Sequence, residues 1–353
     1  MIVKQVFDTQ TYKLDIPTDV LPKNGVKLAH HFNSTKYDNL IELAGRTCYD
    51  SSKLEKTRNS VDYHKHINEV KHGSVQEHAN LVISLQPDGY GQLLQYILEI
   101  GGNRPGVYWT WHDPFFTINF NVRAANEWGR ITNTIGDIGH TIRHYAKISA
   151  PLACNFVQIE APIKYQPVAG KRFISFYIGE VSRGLTHELI RHKYETAVSQ
   201  RSTRFVNESD SMWSYHPLIT THQQDLGNYL GDVKYLEKFQ NSAKYAYDSI
   251  VEFLNKKLEN IGLSKLAAIK QSRGAARGLL GNALSTELIF TASIEEWRHI
   301  ILMRGNQHAD AEIRLFANKA YEELLATDEQ AITSLVVGDT CPDGIGYEIL
   351  ETK

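Results

Sequence analysis

Residues 171–197, KRFISFYIGEVSRGLTHELIRHKYETA, join a strand pattern to a helix pattern and decide the fold class. The first nine residues are rich in branched and aromatic side chains, which predicts a strand. Over the continuation 181–197, Val181, Leu185 and Leu189 stand four residues apart and would lie on one face of a helix. The stretch therefore points to a fold that combines strands with helices.

Similar patterns recur on both sides of this stretch. Helical spacing and closing signals predict helices near 37–48, 60–73, 124–147 and 225–270, the last as one helix or two, and two more helices that part near Gly305. Branched or alternating residues predict strands at 78–86, 115–122 and 283–293, and an irregular segment or short strand within 1–30. Such alternation indicates an α/β or α+β fold. Because no linker rich in Pro, Gly or Ser divides the chain, we predict a single domain over 1–353.

The composition argues against several classes of protein. Lys and Arg number 38 and Asp and Glu number 40, a formal net charge of -2, so no overall field draws the chain to nucleic acid or to an anionic membrane. No apolar run approaches the roughly 20 residues that span a bilayer, and the N-terminus lacks the apolar core of a signal peptide. Cys48, Cys154 and Cys341 are odd in number and follow no pairing motif. We expect a cytoplasmic protein that binds any anionic ligand through a local cluster of cations.

The densest cluster of that kind is HELIRHKYETAVSQRSTRF (187–205). Cations supply charge and forked donors to a phosphate group, and hydroxyl groups complete its hydrogen bonds. The side chains of this type are Arg191, His192, Lys193, Ser199, Arg201, Ser202, Thr203 and Arg204. A helix that runs into such a loop is a credible cradle for a nucleotide phosphate. A solvated basic helix end would have the same composition.

The 15 histidines raise the question of a metal site. A zincin pattern needs histidines at i and i+4, but His192 follows His187 at i+5 and would point away from it. The other closely spaced histidines do not have a known ligand spacing. We therefore predict no metal site.

Two further segments carry polar side chains that could line a ligand site. The turn KHGSVQEHAN (71–80) places two histidines, a serine and a glutamate together, although a capping role for Glu77 would explain it as well. The stretch EEWRHIILMRGNQHADAEIR (295–314) combines an apolar face with several cations, of which Arg304 follows an apolar run. We expect Arg304 at the edge of the core, and a surface ion-pair network is the alternative for this stretch.

Together these segments resemble the flavin-dependent thymidylate synthases. That family carries an Arg-His-Arg triplet, seven residues and then a Ser-x-Arg-Tyr-like run. Here Arg191-His192-Lys193 is followed, after eight residues, by Ser202-Thr203-Arg204-Phe205. The blocks LIELAGRTCYDSS, KHGSVQEHA, VSRGLTHELIRH and ARGLLGNAL with EEWRHIILMRGNQHADAEIR stand in the family's order. The resemblance covers about 24–84 and 172–325.

The resemblance implies an α+β fold with a central mixed or antiparallel sheet and long helices, enlarged by a segment inserted at approximately 86–171. It also implies reductive methylation of dUMP to dTMP, with methylenetetrahydrofolate as carbon donor and NADPH as reductant through bound FAD. In this family no cysteine attacks the uracil, and no cysteine here follows a proline as the nucleophile of classical thymidylate synthases does. A homotetramer with shared sites is implied as well.

The resemblance also assigns roles to residues by motif position. Arg304 would be the catalytic residue beside the pyrimidine, where a permanently charged guanidinium favours ionisation at N3. The residues implied for dUMP are Glu188, Arg191, Gln200, Arg201, Ser202, Thr203, Arg204 and, from another subunit, Arg277. The residues implied for FAD are His72, Ser74, Arg191, His192, Lys193, Gln200 and His299.

The chain departs from the family pattern in three places. Lys193 replaces an arginine and loses its forked geometry. The spacing to Ser202 is one residue longer. The family's flavin-binding Asn-x-Arg before the last helices is Ser293-Ile294-Glu295 here, and a glutamate cannot bind a pyrophosphate.

The inserted segment offers a replacement for this lost motif. Asn121-Val122-Arg123 follows one predicted strand and precedes a predicted helix, as the missing Asn-x-Arg would. We predict that Asn121 and Arg123 supply the flavin contacts. A lid or an oligomer-packing insertion with a fortuitous Asn-x-Arg is the alternative.

Two other classes of function stay open from the sequence alone. The changes at Lys193, Ser293 and Glu295 would fit a homologue that binds flavin or nucleotide without turnover. The histidine count alone would fit a metal-dependent hydrolase.

Overall fold

The computed structural model describes residues 1–8, 36–51, 58–70, 72–85, 90–99, 106–112, 115–124 and 172–352. The helices are α1 (Lys36–Tyr49), α2 (Ser60–Glu69), α3 (Tyr90–Glu99), α4 (Arg183–Leu189), α5 (Pro217–Thr221), α6 (Gln223–Leu230), α7 (Tyr235–Asn260), α8 (Lys265–Ala276), α9 (Ile294–Arg304) and α10 (Ala311–Asp328). The strands are β1 (Ile2–Asp8), β2 (Asn80–Leu85), β3 (Val107–His112), β4 (Phe115–Asn121), β5 (Phe173–Ser182), β6 (Thr196–Gln200), β7 (Ser285–Ser293), β8 (Leu335–Thr340) and β9 (Tyr347–Glu351). Short 3-10 helices lie at Gly73–His78, Arg277–Leu279 and Glu329–Ile332.

The strands of the described ranges form a four-stranded sheet in the order β1-β5-β7-β6, a three-stranded sheet in the order β2-β4-β3 and the hairpin β8-β9. Each of these strand pairs is antiparallel. Parallel strands joined by crossover helices would define an α/β fold, so the antiparallel pairing places this chain in the α+β class. That the segment 86–171 is an insertion within one domain stays a prediction.

The four-stranded sheet is covered on both faces. Successive side chains of a strand point to opposite faces, so Phe176 and Phe290 face one way and Tyr177 and Ile289 the other. The first face packs against α9 and α10 around Trp297, whose Nε1 donates to the carbonyl of Ile174 at 2.9 Å. The second face packs against α1. The sheet is thereby fixed between two helical layers, and the ends of β5 and β7 become rigid supports for the loops that follow.

The predicted helix over 181–197 is wrong beyond Leu189. The chain turns after α4, and Thr196–Gln200 pairs with β7 from Ala292 to Leu288. Glu195 lies at the turn with φ 51°, a left-handed conformation that a helix interior does not accommodate. Burial of Ala197 and Ser199 against the sheet overrides the helical spacing of the sequence.

The other predicted elements meet the structure with smaller differences. The predicted helix at 60–73 ends at Glu69 and a 3-10 helix follows. The stretch 225–270 holds α7 and parts of α6 and α8 rather than one or two helices, because Gly231 ends α6 in a left-handed conformation with φ 65°. The predicted helix at 124–147 lies outside the described residues from 125 onward, as do residues 9–30. None of the described helices has the length and apolarity needed to cross a bilayer.

His78 is a buried polar residue that connects the histidine turn (Gly73–His78) to the sheet. Its Nδ1 lies 2.7 Å from the hydroxyl of Thr291 in β7, which in turn lies 2.6 Å from the hydroxyl of Ser175 in β5. Burial lowers the pKa of His78 to about 3. The folded protein therefore keeps this imidazole neutral.

The stability of the protein should depend on pH through His78. Because an ordinary histidine titrates near 6.5, the unfolded chain binds one more proton than the folded chain between pH 6.5 and about 3. The stability contributed by neutral His78 is thus present above pH 6.5 and is lost as the pH falls, by up to about 1.4 kcal/mol per pH unit. Urea unfolding between about pH 4.5 and 7.5 should show a shallower slope for His78→Gln. The exposed-site control His308→Gln should keep the wild-type slope, and equal slopes for all three proteins would contradict the prediction.

Candidate functional site

The site begins where β5 passes into α4. Ser182 caps α4, because its hydroxyl accepts the N–H of Leu185 at 3.0 Å. Glu312 of α10 accepts from the backbone N–H of Ser182 at 2.8 Å and from its hydroxyl at 2.5 Å. Burial raises the pKa of Glu312, and the two bonds from Ser182 oppose that shift. These contacts fix α4 against α10, so that Glu188 in its last turn is held in place.

Arg304, the last residue of α9, is held over the end of α4. Its Nε donates to Nε2 of His192 at 3.0 Å, its Nη1 to a carboxylate oxygen of Glu188 at 3.0 Å, and its Nη2 to the carbonyl of Glu188 at 3.3 Å. The side chain of Arg304 is 14% exposed and that of Glu188 33% exposed. A cation is therefore fixed at the rim of the core with one face toward solvent.

His192 is at the centre of a second layer of contacts beneath Arg304. Its Nδ1 lies 3.4 Å from an oxygen of Glu296, and its ring meets that of His299 edge-on at 5.8 Å. Ligand atoms of His192, Glu296 and His299 all lie within 4.8 Å of one another, so within the described part of the chain this group has the composition of a metal site. However, both ring nitrogens of His192 are engaged, one by Arg304, and a metal ion would be repelled by the guanidinium. The arrangement favours hydrogen bonding that holds Arg304 over metal ligation.

A cluster of arginines surrounds the turn Ser202–Arg204. The N–H of Ser202 donates to the carbonyl of Cys48 at 2.8 Å, which anchors the turn to the end of α1. Arg277, just after α8, donates to the hydroxyl of Thr203 at 3.3 Å. Burial lowers the pKa of Arg183, and the nearby charges of Arg277 and Arg201 act in the same direction while Glu208 opposes them. Such a concentration of guanidinium groups is suited to a phosphate.

Arg201 differs from its neighbours because acidic groups of the same chain surround it. Its Nη2 lies 3.4 Å from Glu208 and 3.6 Å from Asp50, and donates to the hydroxyl of Ser211 at 3.2 Å. A cavity of about 480 Å³ opens beside it and is also lined by Asp50, Asp210 and Glu287. The acidic lining makes this cavity a poor place for an anion, whereas the guanidinium of Arg277 lies on the Thr203 side of the turn.

Gln200 connects the two arginine-containing parts of the site. Its side-chain amide donates to the hydroxyl of Thr186 in α4 at 3.0 Å and to that of Thr286 in β7 at 3.3 Å. The amide is thus oriented at the end of β6, between Glu188 and the turn that carries Ser202. Arg191 and Lys193 are exposed on the turn that follows α4.

Cys48 lies near this turn but is not suited to act as a nucleophile. Burial raises the pKa of the Cys48 thiol to about 11, and a hydrogen bond with Ser199 only partly offsets the shift. The thiolate is the reactive form, so Cys48 is inert at neutral pH. Cys341 is buried and its pKa is raised by burial as well, whereas Cys154 lies outside the described residues.

The histidine turn reaches the site from the other side of the sheet. The hydroxyl of Tyr49 lies 3.4 Å from Nδ1 of His72, and the Tyr49 ring packs edge-on against the rings of His72 and Phe205 at 5.6 and 4.9 Å. Burial lowers the pKa of His72. Tyr49 therefore links the turn that carries His72 and Ser74 to the turn that carries Ser202.

Residues of the region 86–171 contact the same turns. Arg123 forms an ion pair with Glu77, and its side chain lies against Gly73. The carbonyl oxygen of the Asn121 side chain accepts the N–H of Ala124 at 2.7 Å and stabilises the backbone that presents Arg123. Tyr108 meets the ring of Tyr194 at 5.8 Å, next to Lys193. The three-stranded sheet thus places Arg123 beside Gly73 and Glu77, and Tyr108 beside the exposed turn.

Comparison with known proteins shows a similarity to one enzyme family over part of the chain. Residues 169–328 match the family model described as thymidylate synthase complementing protein. The flavin-dependent thymidylate synthase of Mycolicibacterium gilvum is 35% identical over 164 residues, which are 46% of this chain and 62% of that protein. The flavin-dependent thymidylate synthase of Mycobacterium tuberculosis is 37% identical over 153 residues, 43% of this chain and 58% of that protein.

Over residues 169–328 this chain is similar to the flavin-dependent thymidylate synthases. It spans only 56–62% of the length of the first relatives that it matches. A solved structure of a flavin-dependent thymidylate synthase from Helicobacter pylori, complexed with FAD and dUMP, is 18% identical with a TM-score of 0.29, over 46% of this chain and 72% of that one.

The structure brings most of the predicted site residues into three groups. Around Arg304 lie Glu188, His192 and His299. Around the Ser202–Arg204 turn lie Gln200, Arg201 and Arg277. Around the histidine turn lie His72, Ser74, Asn121 and Arg123. The roles of these residues in binding and catalysis stay predictions.

Three residues near the site were missed by the sequence reasoning. Glu296 could have been found from its Glu-x-x-His spacing to His299, which places both side chains on one helical face. Arg183 stands in the quoted block VSRGLTHELIRH, but nothing in the sequence separates it from a solvated arginine. Tyr49 follows the predicted end of a helix, and only the tertiary structure shows that it contacts His72.

Proposed function

We propose that this chain is a flavin-dependent thymidylate synthase that converts dUMP to dTMP, with methylenetetrahydrofolate as carbon donor and NADPH as reductant through FAD. The observation that carries the proposal is Arg304, a guanidinium fixed by Glu188 and His192 within the family's own motif. The chain spans only part of the relatives it matches, and its similarity to them supports this activity.

The arginine cluster around Thr203 supports the binding of the dUMP phosphate. Arg277 already donates to Thr203, and Arg204 lies next to Gly274 of α8, so two cations converge on one turn. Ser202 and Thr203 would add hydroxyl donors and the turn its backbone N–H groups. The proposal is that the nucleotide is bound by Gln200, Arg201, Ser202, Thr203, Arg204 and Arg277. Glu188 and Arg191 would lie at its uracil base.

Arg304 would act on the pyrimidine by electrostatics. An arginine does not lose its proton at physiological pH, so it can stabilise a negative charge that develops on the ring as N3 ionises. Its three contacts with Glu188 and His192 hold the guanidinium before substrate arrives, so little reorganisation is needed during the reaction. Glu188 offers an acceptor beside the same cation for N3–H, the one N–H of the base, before that proton leaves.

The donor set of the neighbouring turns fits FAD. The exposed cations Arg191 and Lys193 suit a pyrophosphate, and Gln200, Ser74 and the ring of His72 offer polar groups on either side. His192 and His299 add two rings edge-on to each other at 5.8 Å. When bound, FAD would supply the hydride-transfer chemistry, while these side chains would bind and orient it.

The described geometry supports a compensating role for the region 86–171. Glu295 stands exposed in the first turn of α9, and Ser293 uses its hydroxyl to cap that helix, so the family's flavin motif has no counterpart there. Arg123 lies instead against the histidine turn, at Gly73 and Glu77. We therefore keep Asn121 and Arg123 as proposed flavin contacts, and a packing or lid role is the alternative.

Arg123→Ala should weaken FAD binding by about tenfold or more, the loss expected when a charge-assisted hydrogen bond is removed. The measurement is the FAD dissociation constant by flavin fluorescence. Since Arg123 also pairs with Glu77, the matched control is Glu77→Gln, which breaks the pair and keeps Arg123. Equal FAD retention in the wild type and in Arg123→Ala would reject the flavin role.

The exposed apolar side chains of α6, α7 and their connection support self-association. Tyr229, Val233, Phe239, Tyr245 and Phe253 of α6, α7 and their connection are exposed, and large exposed apolar groups on neighbouring turns mark protein interfaces. We propose a homotetramer in which sites are shared between subunits. In the structure Arg277 contacts Thr203 of its own chain, so the proposed reach of Arg277 to another subunit's phosphate requires the assembled form.

The decisive assay is dUMP-dependent oxidation of NADPH in the presence of methylenetetrahydrofolate, with dTMP identified as product. A flavin spectrum with dTMP formation supports the proposed enzyme. A flavin spectrum without dTMP formation supports the second candidate, a flavin- or nucleotide-binding homologue. The changes at Lys193, Ser293 and Glu295 favour this candidate. A colourless protein with bound zinc would point to the metal-dependent hydrolase instead.

A further inference from the structure

Glu296 is linked to Arg304 through the imidazole of His192. We propose that Glu296 is a positioning residue, which holds His192 in the tautomer that accepts the Nε–H of Arg304 and so fixes the guanidinium. For its effect on turnover this inference rests on the proposed function. Glu296 would contact neither substrate nor cofactor in this role.

The tautomer follows from the hydrogen bonds. A guanidinium has only donors, so Nε2 of His192, 3.0 Å from Nε of Arg304, must accept with its lone pair. The hydrogen of the ring then belongs on Nδ1, which lies 3.4 Å from a carboxylate oxygen of Glu296. The opposite tautomer would set a hydrogen against Arg304 and a lone pair against Glu296. A carboxylate at this position therefore selects the form that can hold Arg304.

Burial makes this selection effective. The side chains of His192 and Glu296 are only 6% and 8% exposed, so water does not replace either partner readily. Electrostatic interactions are stronger in such surroundings than at the surface. The neighbouring side chains of Arg191 and Lys193 on the turn and of His299 on α9 are exposed to solvent.

A capping role does not explain the position of the Glu296 carboxylate. Ser293 and Glu296 have the Ser-x-x-Glu spacing of a capping box, in which the glutamate accepts the backbone N–H of the serine. Here the hydroxyl of Ser293 does accept the N–H of Glu296, at 3.2 Å, but the N–H of Ser293 donates to the carbonyl of Glu195 at 3.3 Å. Half of the box is formed, and the carboxylate lies next to His192 instead.

The test compares Glu296→Gln with Glu295→Gln, which removes a neighbouring exposed charge from the same helical turn. In Glu296→Gln we expect kcat for dTMP formation to fall about tenfold or more, as when the group that orients a functional histidine is lost. The dUMP KM and the FAD dissociation constant should stay within about twofold of the wild type, and Glu295→Gln should match the wild type in kcat within the same margin. A kcat of Glu296→Gln equal to that of Glu295→Gln would overturn the proposal.

A second arm tests the linkage without turnover. Thermal unfolding midpoints are measured with FAD for wild type, Glu296→Gln, Arg304→Gln and the double variant, and the set is repeated in a His192→Asn background. We expect non-additive shifts in the first set and additive shifts in the second, since the coupling passes through His192. Additive shifts in the first set would overturn the proposal. If the wild type makes no dTMP, the proposed function fails while this arm still decides the role of Glu296.

Discussion

Arg304→Ala is expected to lower kcat for dTMP formation by about 10²- to 10³-fold, the loss typical when one donor to a developing negative charge is removed. Arg304 combines a permanent charge, a side chain only 14% exposed and hydrogen bonds from Nε, Nη1 and Nη2. Such a cation cannot be replaced by water in the same geometry. The measurement is steady-state turnover with dUMP, methylenetetrahydrofolate and NADPH, on protein whose FAD content has been determined.

The control for this substitution is Arg298→Ala on the same helix. Arg298 contacts Ser334 and lies 4.0 Å from Glu351, on the side of α9 toward β8 and β9. Its removal should leave kcat within about twofold of the wild type, as for surface substitutions in general. Arg304→Lys should give an intermediate value, because it keeps the charge but not the fork that contacts Glu188 and His192. Full turnover in Arg304→Ala would show that another group stabilises the pyrimidine.

The fold was predictable where local pattern and tertiary structure agree. The segment at 171–179 has apolar residues on both faces, with Ile174, Phe176 and Ile178 on one and Tyr177 on the other, and the sheet buries both faces of β5, so the strand was predictable. The split near Gly305 was predictable because a glycine commonly follows the end of a helix, and α9 ends at Arg304. The stretch 190–200 was not predictable. Its sequence has helical spacing, but the pairing of β6 with β7 determines its structure, and β7 lies about 90 residues farther along the chain.

Of the candidate site, only the residues at motif positions were predictable from the sequence. His192, Gln200 and Arg304 stand at motif positions, and the structure places them around one end of the sheet. Glu296 has the Glu-x-x-His spacing to His299, but its proximity to His192 arises because α9 packs against the turn after α4. The ion pairs of Arg201 with Asp50 and Glu208 could not be predicted from the sequence either, since only the fold brings these residues together.

The positions of the charged residues in the structure explain the small net charge of the chain. Cations collect where α4, α8 and α9 end, and acidic groups collect around Arg201 and the cavity beside it. A nucleotide and a dinucleotide cofactor would therefore meet a local positive field although the whole chain carries -2. In the proposed enzyme the positive part of the surface is matched to its ligands, and the acidic part keeps the total near zero.

Arg314→Met is expected to destabilise the folded protein by about 3–5 kcal/mol, the usual cost of breaking a buried charged network by removing one partner. The side chain of Arg314 is 1% exposed. Its Nε donates to the carbonyl of Ile345 at 3.0 Å, and its Nη1 donates to the carbonyls of Gln307 and Ala309 at 2.9 and 3.0 Å. Methionine fills a similar volume but leaves these carbonyls without their donor.

Arg314 also forms an ion pair with Asp343, and this pair adds a pH signature. The hydrogen bond from Arg314 holds the pKa of Asp343 below its ordinary value of 3.8. The stability from this pair is thus present above pH 3.8 and is lost as the pH falls through the lower folded pKa. The Arg314→Met variant should lack this acid-induced loss. Urea unfolding at neutral and acidic pH measures both effects.

Lys319→Met provides the matched control, because Lys319 lies on the same helix and is exposed. It should change the free energy of unfolding by no more than about 0.5 kcal/mol. The difference between the two variants then reports on the position of the cation rather than on the loss of one positive charge from α10. Equal stabilities for the two variants would mean that water reaches the carbonyls of Gln307, Ala309 and Ile345 once the arginine is gone, and that the connection between α9, α10 and β9 does not depend on Arg314.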